Sequence, residues 1–534
     1  FPLCTRRKSR YPSAGTVPTV AAPESNRERE VKLDAPVSLE LPELTAIVAG
    51  VVATRLPDTK LQAIYVDTAD LRLMRWGVTL RHRHDTVGGA GAESGWTVKL
   101  PGQADGVALV RTELSWPGPF GPLPAEVASL VRALARGGPL EPVATLVSER
   151  YRIELSDDAG GGTKLGEIDD DTVSVMDGRR LVDRFRQIEL ELSDAATDEL
   201  LDAVLHALTR AGAVAGDDRP KVVRAIGARA AEPPDVVVAP LDSDATVAAV
   251  VAAAIGAGVT RIIRHDPGVR LGDDPEHVHQ ARVGTRRLRS DLRTFRPLLD
   301  EEWTRPVRAE LGWLADALGE VRDADVLTGR LLGQTRALDG ADSKAAAALL
   351  RRLAIERDEA RMRLLAVLDS DRYVALLDSL VRAAAAPPLS PEEAPGDRKA
   401  AAVAVPLVRR PWKRLAQLVA QLPDDPPDES LHQVRIRAKR VRYAAEAVAG
   451  VIGKPAQELA TAVAAVQDVL GDMQDAVVAE RWLRRQVTSG PAGRALVAGQ
   501  LVMLQRQEQA ACREKWRQPW QRAAKKKRRR WLKS

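Results

Sequence analysis

The pattern of charged and apolar residues changes near the middle of the chain. Before residue 232, many segments alternate charged and apolar side chains with a period of two, as a β-strand does. A proline-rich segment, residues 232–241, follows, and beyond it apolar residues recur at helical spacing. A chain of 534 residues is also too long for one hydrophobic core. The sequence therefore predicts a multidomain α+β protein, with residues 232–241 as the linker.

Composition narrows the class of protein. Hydrophobic residues make up 45% of the chain, whereas aromatic residues make up only 4%, which favours helices packed through small side chains. The formal net charge of +6 indicates anionic partners without specifying them. Cys4 and Cys512 are the only cysteines, which argues for a reducing compartment and against a disulfide framework. We expect a cytoplasmic protein.

Three stretches raise the question of targeting or tail segments. Residues 1–26 are basic but have no apolar core, which predicts a disordered extension rather than a secretory signal. Residues 245–260 form the longest apolar run, slightly short for a membrane span, so we expect a buried helix and no membrane association. Residues 521–534 include six consecutive bases. This basic tail is either solvated or a non-specific contact for a polyanion such as nucleic acid.

Charged residues in the first domain share faces of predicted strands. Glu28, Glu30 and Lys32 project to one side of the first strand, and Arg81 and Arg83 do the same later. About eight such segments precede residue 232, and closing them into a barrel removes sheet edges and encloses a polar interior. We therefore predict a closed barrel of about eight strands in residues 27–231. Its interior would hold these acids and bases: Glu28, Glu30, Lys32, Arg81, Arg83, Lys99, Glu113, Arg150, Asp170, Glu189, Glu191 and Lys221.

Such a lining suits a polyanion bound together with hard cations. Guanidinium and ammonium groups neutralise phosphate oxygens, while carboxylates hold Mg²⁺ or Mn²⁺. For a single pair, such as Arg81 and Arg83, the alternative is an ordinary solvent-facing side of an antiparallel sheet. Only the whole series favours a functional interior. Residues 42–55 interrupt the strands with the spacing of a short helix.

The ordered motifs of this domain resemble a known family. Glu28-x-Glu30-x-Lys32, Tyr65-x-Asp67-Thr68, Gly77-x-x-Leu80-Arg81-x-Arg83 and Glu189-x-Glu191 are similar to the CYTH superfamily, the triphosphate tunnel metalloenzymes. The resemblance implies an eight-stranded antiparallel β tunnel that binds triphosphate with a divalent metal. It implies that the metal is held by Glu28, Glu30 and Glu191, with Glu113, Asp170 and Glu189 as further candidates. It implies that phosphates are bound by Lys32, Arg81, Arg83, Lys99, Lys221 and Arg150 or Arg152, and that catalysis depends on Glu28, Glu30, Lys32, Arg81 and Arg83.

These residue types fit phosphoryl transfer, which needs in-line positioning and charge neutralisation rather than a protein nucleophile. Hydrolysis of inorganic triphosphate is the plainest reaction, because the sequence contains no identifiable base-specific pocket. The resemblance leaves two related activities open, hydrolysis of thiamine triphosphate and cyclisation of ATP. A non-catalytic protein that binds or senses polyphosphate is a further alternative.

An internal repeat organises residues 242–520, for which we predict an all-α helical bundle. The segment that begins at His279 matches the one that begins at His432, with bases three, seven and ten residues later in both copies. These positions share one face of a helix. A single basic stripe would be read as a solvated helix face, but two copies with identical offsets favour a shared basic groove. Leu318-Gly319 and Leu470-Gly471 form a second match.

The repeat resembles the CHAD domain, a helical domain associated with binding inorganic polyphosphate. The resemblance implies polyphosphate contacts at His279, Arg282, Arg286, Arg289, Arg293, His432, Arg435, Lys439 and Arg442. Gln474 departs from the arginine of the first copy and is not expected to contact phosphate, while Asp323 and Asp475 are expected to orient bases. We expect inorganic polyphosphate as a partner and polyphosphate granules as a place of accumulation. A protein that associates with nucleic acid through this face and the basic tail is the alternative.

Overall fold

A computed structural model describes residues 24–86, 94–105, 108–157, 162–216, 219–336, 338, 340–393, 396–488 and 492–533, without the side chains of 24–28, 103–105, 108–111 and 488. The predicted extension, except for its last three residues, lies outside these ranges. The chain divides into two compact units. One comprises Phe1–Leu123 and Pro139–Glu232, and the other comprises Pro124–Gly138 and Pro233–Ser534.

The strands of the first unit form a closed antiparallel ring. Their order is β5-β4-β3-β2-β6-β7-β8-β1, and β1 pairs with β5 as well, which closes the ring. A short ninth strand pairs with β1. The predicted eight-stranded tunnel is thus confirmed, with one small addition. The strands are β1 (Glu24–Ala35), β2 (Val51–Asp67), β3 (Thr79–Asp85), β4 (Ser94–Asp105), β5 (Ala108–Pro117), β6 (Glu141–Asp157), β7 (Lys164–Asp177), β8 (Arg180–Leu192) and β9 (Val214–Ala215).

The apolar side chains of β1, β7 and β8 form a core outside the ring rather than inside it. Val31, Ile168 and Leu190 pack in one buried cluster with Leu201 and Val204 of a helix. That helix is α4 in chain order and begins after Thr197, whose side chain accepts a hydrogen bond from the Leu200 amide over 3.2 Å. Because strand side chains alternate, burying these residues against α4 turns their charged neighbours into the tunnel. The helices of this unit are α1 (Arg72–Arg75), α4 (Asp198–Arg210) and α5 (Lys221–Ile226).

The predicted short helix at residues 42–55 is wrong. Turns and bends occupy residues 45–50, and β2 begins at Val51 and continues to Asp67. Val51 lies opposite Asp157 of β6, and the two strands remain paired along nearly their whole length. Strand pairing with β6 therefore overrides the local helical spacing, because that spacing is only a weak preference over so few residues.

The second unit is helical throughout the part of the chain that the structure describes, apart from loops and isolated bridges, as the sequence predicts. Its helices are α2 (Ala125–Leu130), α3 (Arg132–Ala135), α6 (Val247–Leu271), α7 (Pro275–Thr294), α8 (Glu301–Thr335), α9 (Gly340–Leu368), α10 (Asp371–Ala385), α11 (Ala401–Ala420), α12 (Asp428–Ala447), α13 (Ala449–Ile452), α14 (Lys454–Thr488), α15 (Ala492–Lys515) and α16 (Arg517–Ala523).

Residues 124–138, which the sequence analysis placed in the tunnel domain, pack with these helices. Ser129 donates a hydrogen bond to Asp369 over 2.8 Å. Arg136 is buried and pairs with Asp235 of the linker segment. The hydrogen bond and the ion pair agree with the assignment of α2 and α3 to the helical unit, although the chain enters and leaves them from strands β5 and β6.

Helix α6 contains the apolar run singled out in the sequence. Among the described residues it is the one helix long and apolar enough to cross a membrane, with a mean hydropathy of 1.7 over its best window, half of which is buried. Core helices of soluble proteins pass the same test. Ile255, Val259 and Ile263 are buried, and Asp266 is buried with an ion pair to Arg270 at 2.6 Å. These contacts agree with the predicted buried helix.

The predicted basic tail, residues 521–534, is not a detached tail over its described part. It continues from α16 into a 3₁₀ helix, Lys526–Lys533. Leu532 is buried in the hydrophobic core of the second unit, and its carbonyl accepts a hydrogen bond from Arg409 over 2.5 Å. The apolar residues after the six bases anchor the segment to this core. The run of bases alone gave no indication of that contact.

Candidate functional site

All eight strands of the closed ring contribute side chains to its polar interior, a cavity of about 190 Å³. Of the predicted tunnel residues whose side chains the structure describes, all line this cavity except Asp170. The Glu28 backbone pairs with Arg111 of β5, and its side chain lies outside the described set. The cavity is lined by Glu30, Lys32, Tyr65, Thr79, Arg81, Arg83, Lys99, Glu113, Arg150, Arg152, Glu167, Asp169, Glu189, Glu191, Pro220 and Lys221.

The prediction of Asp170 as a metal ligand is wrong. Its two carboxylate oxygens accept hydrogen bonds from Arg186 over 2.9 and 2.7 Å, on the opposite face of β7 from the cavity. Asp170 lies between Tyr151 and Ile188 in the sheet, and Ile188 belongs to the core under α4. Consecutive acids in β7 do not indicate which of them face inward, because shifting a strand by one residue exchanges its two faces.

The same register places three acids that the sequence analysis did not select on the inner face. Glu167 and Asp169 line the cavity, and Asp171 accepts two hydrogen bonds of 2.8 Å from Arg150. Asp169 and Asp171 follow Glu167 at intervals of two residues, and this spacing was the sequence signal that the three acids share one face of the strand. Arg150 and Arg152, given as alternatives, both line the cavity because they too are two residues apart.

Acids and bases are interleaved around the cavity. Lys99 Nζ lies 2.6 Å from a Glu113 carboxylate oxygen. Lys32 Nζ lies 3.3 Å from Glu30 and 3.7 Å from Glu189. Burial alone would raise the pKa of Glu113, but the charges of Arg81, Lys99 and Arg83 outweigh it and hold its pKa at about 2. Glu113 is therefore charged at neutral pH, and the ion pairs of the wall form a preorganised electrostatic lining.

The base on α5 completes this network. Lys221 is the first residue of that helix, and its Nζ donates to Glu189 over 2.7 Å and also to Asp171. Burial opposes ionisation of Glu189, but Lys221, Lys32 and Arg150 hold its pKa well below the usual value. The sequence predicted a phosphate-binding base at Lys221. The structure shows how a helix end brings it to the wall built by β7 and β8.

Some carboxylates of the wall lack enough positive charge. Burial and the neighbouring Asp171, Glu167 and Glu189 raise the pKa of Asp169 to about 6, against the opposing charge of Arg150. Burial and Asp169 also raise the pKa of Glu191. The Oδ1 atom of Asp169 is buried and accepts no hydrogen bond within the described part of the chain. This surplus of negative charge identifies the side of the tunnel where a cation would be most stabilised.

The donor set fits a hard divalent cation. Oxygen ligands from carboxylates are those that Mg²⁺ and Mn²⁺ prefer, and Glu30 and Glu191 lie opposite each other in β1 and β8. No three acidic, histidine or cysteine side chains already converge on one point among the described residues. Lys32, Arg150 and Lys221 form ion pairs with Glu30, Asp171 and Glu189, respectively.

On the second unit, the predicted basic face forms where the two repeat copies meet. Arg282 and Arg286 of α7 lie close to Arg435 and Lys439 of α12. Burial and the charges of Arg435, Arg286 and Arg282 lower the pKa of Lys439 to about 7. The Nε atoms of Arg286 and Arg435 are buried and donate no hydrogen bond within the described residues. The cluster has donors and positive charge to offer an anion.

The glycines of the second repeat match lie against this basic face. A Cβ atom added at Gly319 would lie 3.9 Å from the Arg282 guanidinium, and one at Gly471 would lie 3.8 Å from that of Arg435. Asp323 holds Arg282 at 3.2 Å, as predicted for an orienting acid. Each glycine of the Leu-Gly motif therefore lies beside one arginine, at a distance that would also admit a methyl group.

The remaining predicted contacts lie around this cluster. His432 Nδ1 and Gln474 Oε1 are hydrogen-bonded at 2.7 Å, so Gln474 orients the histidine. Burial and the charge of Arg322 lower the pKa of His279. Two bases differ from the rest. Arg442 Nε donates to Glu446 over 2.7 Å, and Arg293 lies beside Arg440 and Arg308 rather than beside Lys439.

Comparison with known proteins matches both halves of the chain. Residues 26–226 match the CYTH domain and residues 253–484 match the CHAD domain. An uncharacterized protein of Mycobacterium tuberculosis is 33% identical over 529 residues, which covers 93% of this chain and 96% of the relative.

Two solved structures resemble the chain over about half its length. PptA from Streptomyces chartreusis is 27% identical with a TM-score of 0.43, covering 52% of this chain and all of that one. The CHAD domain from the plant Ricinus communis is 27% identical with a TM-score of 0.44, covering 53% of this chain and 94% of that one.

Members of the CYTH domain family are metal-dependent tunnel enzymes that act on triphosphates as hydrolases or cyclases. The match covers the closed ring and its lining, and the CHAD match covers both copies of the helical repeat. The chain therefore belongs to the family of proteins in which a CYTH tunnel domain is followed by a CHAD domain.

Proposed function

We propose that the tunnel hydrolyses triphosphate with Mg²⁺ or Mn²⁺, with inorganic tripolyphosphate as the preferred substrate. The interleaved bases and acids of the closed cavity carry this proposal. A volume of about 190 Å³ suits an unsubstituted phosphate chain and is smaller than the ~300–1,000 Å³ of ordinary ligand pockets. Within the described part of the chain, Tyr65 is the one aromatic side chain that lines the cavity, so this part of the wall offers little to a nucleoside.

The bases of the wall bind and orient the phosphates. Lys32, Arg81 and Arg83 project from strands β1 and β3, while Arg150 and Lys221 approach from β6 and α5. Their ion pairs with wall carboxylates keep them in place before substrate arrives. Phosphate oxygens would replace carboxylate oxygens as their partners, so binding costs little reorganisation.

Acids that line the tunnel would hold the metal. Glu191 and Asp169 carry negative charge that the bases leave uncompensated, and Glu30 lies opposite Glu191 in the sheet. Asp169 replaces the predicted Asp170 as the candidate ligand from β7. A divalent cation there supplies electrostatic stabilisation for negative charge on the transferred phosphoryl group and makes water more acidic. The carboxylates position that charge, and the closed ring limits access of bulk water.

Phosphate release measured with malachite green tests the activity. Tripolyphosphate, thiamine triphosphate, ATP and long polyphosphate are each supplied with Mg²⁺ and with Mn²⁺. We expect metal-dependent release that is fastest from tripolyphosphate and is lost in Glu30→Gln. Cyclic AMP from ATP would instead identify a cyclase. Release from none of the substrates, with tight triphosphate binding retained, would identify a sensor.

We also propose that the basic face of α7 and α12 binds inorganic polyphosphate in the cytoplasm and gathers the protein at polyphosphate granules. The like-charged cluster around Lys439 supports this function. The double variant Arg282→Gln/Arg435→Gln should weaken binding of long polyphosphate at least ~100-fold, since charge-assisted contacts each contribute about 1.5–3 kcal/mol. Arg351→Gln/Arg352→Gln on α9 removes the same charge from an exposed surface and is the control. Equal competition by duplex DNA would favour a nucleic-acid partner.

A further inference from the structure

Equivalent arginines of the two repeat copies have opposite electrostatic surroundings. Arg287 and Arg440 each follow the repeat histidine by eight residues. Arg287 lies 2.8 Å from Asp291 and also pairs with Glu446. The position four residues after Arg440 is Ala444, and Arg440 makes no ion pair within the described part of the chain. The repeat thus conserves the base in both copies but neutralises it in only one.

Arg440 lines an open cavity of about 660 Å³ bounded by the end of α7, α11 and α12. Eight arginines line this cavity, and Glu393 is the one carboxylate among the lining residues. Glu393 is already paired with Arg398 at 2.8 Å, and Arg296 is paired with Glu301 at 2.9 Å. Within the described residues, the arginines of the cavity that make no ion pair are Arg293, Arg308, Arg410, Arg414, Arg437 and Arg440.

The arginines of this cavity repel one another electrostatically. Burial and the charges of Arg440, Arg308 and Arg289 lower the pKa of Arg293. Burial and the charges of Arg296 and Arg289 lower the pKa of Arg308. The Nε atom of Arg308 is buried and donates no hydrogen bond among the described residues. Like charges gathered in one concave site repel each other, and a bound anion would remove that repulsion.

The corresponding cavity beside Arg287 shows that this surplus is not common to the helical domain. That cavity, of about 570 Å³, is lined by four arginines, Arg261, Arg286, Arg287 and Arg442, and also by Asp291 and Glu446. Arg287 and Arg442 both pair with Glu446. Among the described lining residues, two carboxylates accompany four arginines in this cavity, whereas one carboxylate accompanies eight arginines in the cavity beside Arg440. The two cavities therefore differ in the size of their positive surplus.

The surplus of positive charge in the cavity beside Arg440 indicates the chemistry of its ligand. Guanidinium groups bind phosphate through paired hydrogen bonds, and several in one cavity suit several phosphates close together. The volume lies within the range of small-molecule sites, ~300–1,000 Å³. Leu298, Val403 and Leu407 add apolar surface to the same cavity.

We propose that this arginine cavity is a second anion site, which binds a compact group of phosphates, either the end of a polyphosphate chain or a free short polyphosphate. It is distinct from the cluster around Lys439, and Arg293, assigned by resemblance to that cluster, belongs to the cavity. Arg289 lies close to Arg293 and Arg308 and follows Arg286 of the cluster by about one helical turn, so a chain bound along α7 can place its end in the cavity. The site requires neither tunnel catalysis nor polyphosphate binding at Lys439.

Arginine footprinting of the full chain tests the site. Phenylglyoxal modifies accessible arginines, and peptide mass spectrometry reads the rate at each position without and with tripolyphosphate, ATP or long polyphosphate. We expect modification of Arg410, Arg414 and Arg440 to slow at least about fivefold, as expected for guanidinium groups bound to phosphate, while Arg351 on α9 is unaffected. Protection by tripolyphosphate or ATP identifies a free ligand, and protection by long polyphosphate alone identifies the chain end.

Paired variants complete the test. Arg410→Gln/Arg414→Gln should abolish protection of Arg440, and Arg351→Gln/Arg352→Gln should not. Absence of protection by all three phosphates would overturn the proposal, as would equal slowing at Arg351 or equal protection by duplex DNA. Protection of Arg282 and Arg435 by long polyphosphate is read in the same digest, so failure of the main polyphosphate face is scored separately from failure of the cavity.

Discussion

The tunnel and the basic face of the helical domain both gather positive charge, but they balance it differently. In the tunnel, Lys99 lies 2.6 Å from Glu113 and Lys32 lies 3.3 Å from Glu30. On the helical face, Lys439 is surrounded by arginines of both repeat copies, and its pKa falls to about 7. The tunnel therefore holds both signs of charge at close range, whereas the helical face holds one sign in excess.

This difference teaches what each region can bind. A wall of paired acids and bases offers ligands to a metal and to phosphate together, so it suits a reaction on a metal-bound triphosphate. A face with surplus bases gains only from an anion, which suits storage or recruitment of a polyanion. Removing a base should consequently leave an uncompensated buried acid in the tunnel but relieve repulsion on the helical face.

The largest effect should come from removing a base of the tunnel wall. Lys32→Met takes away a buried charge that faces Glu30 and Glu189, and we expect kcat/KM for tripolyphosphate to fall ~10²–10³-fold. Lys60→Met is the control, because Lys60 forms an exposed ion pair with Glu149 at 2.9 Å. Equal losses in both variants would show that the wall has no special role.

Neighbouring acids on β7 should differ in their effect on activity. Asp169→Asn removes a carboxylate of the cavity, and we expect the metal concentration for half-maximal activity to rise ~10–100-fold. Asp170→Asn alters only the outer pair with Arg186 and should leave metal dependence unchanged. Titrating Mg²⁺ and Mn²⁺ against phosphate release measures both variants. A larger shift in Asp170→Asn would restore the original sequence prediction.

Polyphosphate binding by the helical face should weaken as pH rises. The pKa of Lys439 is about 7 in the free protein because of burial and of Arg435, Arg286 and Arg282, opposed by Asp475. A bound polyanion favours the charged form, so affinity is greatest below pH 7 and falls as the free lysine loses its proton above it. We expect a loss of about tenfold between pH 6.5 and 8.5.

Lys439→Arg provides the matched control for this pH dependence. Arginine keeps its charge over the whole range, so this contribution to the pH profile should disappear while binding at pH 6.5 is retained. Titration with labelled long polyphosphate at constant ionic strength makes the comparison. A flat profile for the native protein, or an equally steep one for Lys439→Arg, would contradict the assignment to Lys439.

The smallest effect should come from the glycine beside Arg282. A Cβ at Gly319 would meet that guanidinium at 3.9 Å, an ordinary contact, so Gly319→Ala should keep polyphosphate affinity and stabilise α8 by up to ~1 kcal/mol. Gly319→Leu reaches farther and should displace Arg282, lowering affinity. Thermal unfolding and polyphosphate titration of the two variants separate the helix effect from the binding effect.

Much of the candidate site followed from local periodicity. Glu30, Lys32, Arg81 and Arg83 shared faces by a period of two, and the structure places all four in one cavity. The helical repeat similarly placed Arg282 and the bases after it on one face. Both periods are properties of a single element, so they can be read without knowing what packs against that element.

Contacts between different strands and helices could not be predicted from periodicity. Asp170 faces outward because pairing of β7 with β8 puts it beside Ile188 over the core, while its neighbours face the cavity. The sequence likewise gave no sign that residues 124–138 pack with the helices, or that Leu532 anchors the basic end. Each outcome depends on a partner distant in the sequence.

The sequence by itself determined that the chain has a tunnel of alternating charge and a repeated basic helix, because strand and helix periods fix which side chains share a face. Only the tertiary structure decided how those charges are balanced. Arg287 is neutralised because folding brings Glu446 beside it, whereas Arg440 faces a cavity of other arginines. Ion pairing depends on distances across the fold, and those distances are set by packing rather than by local sequence.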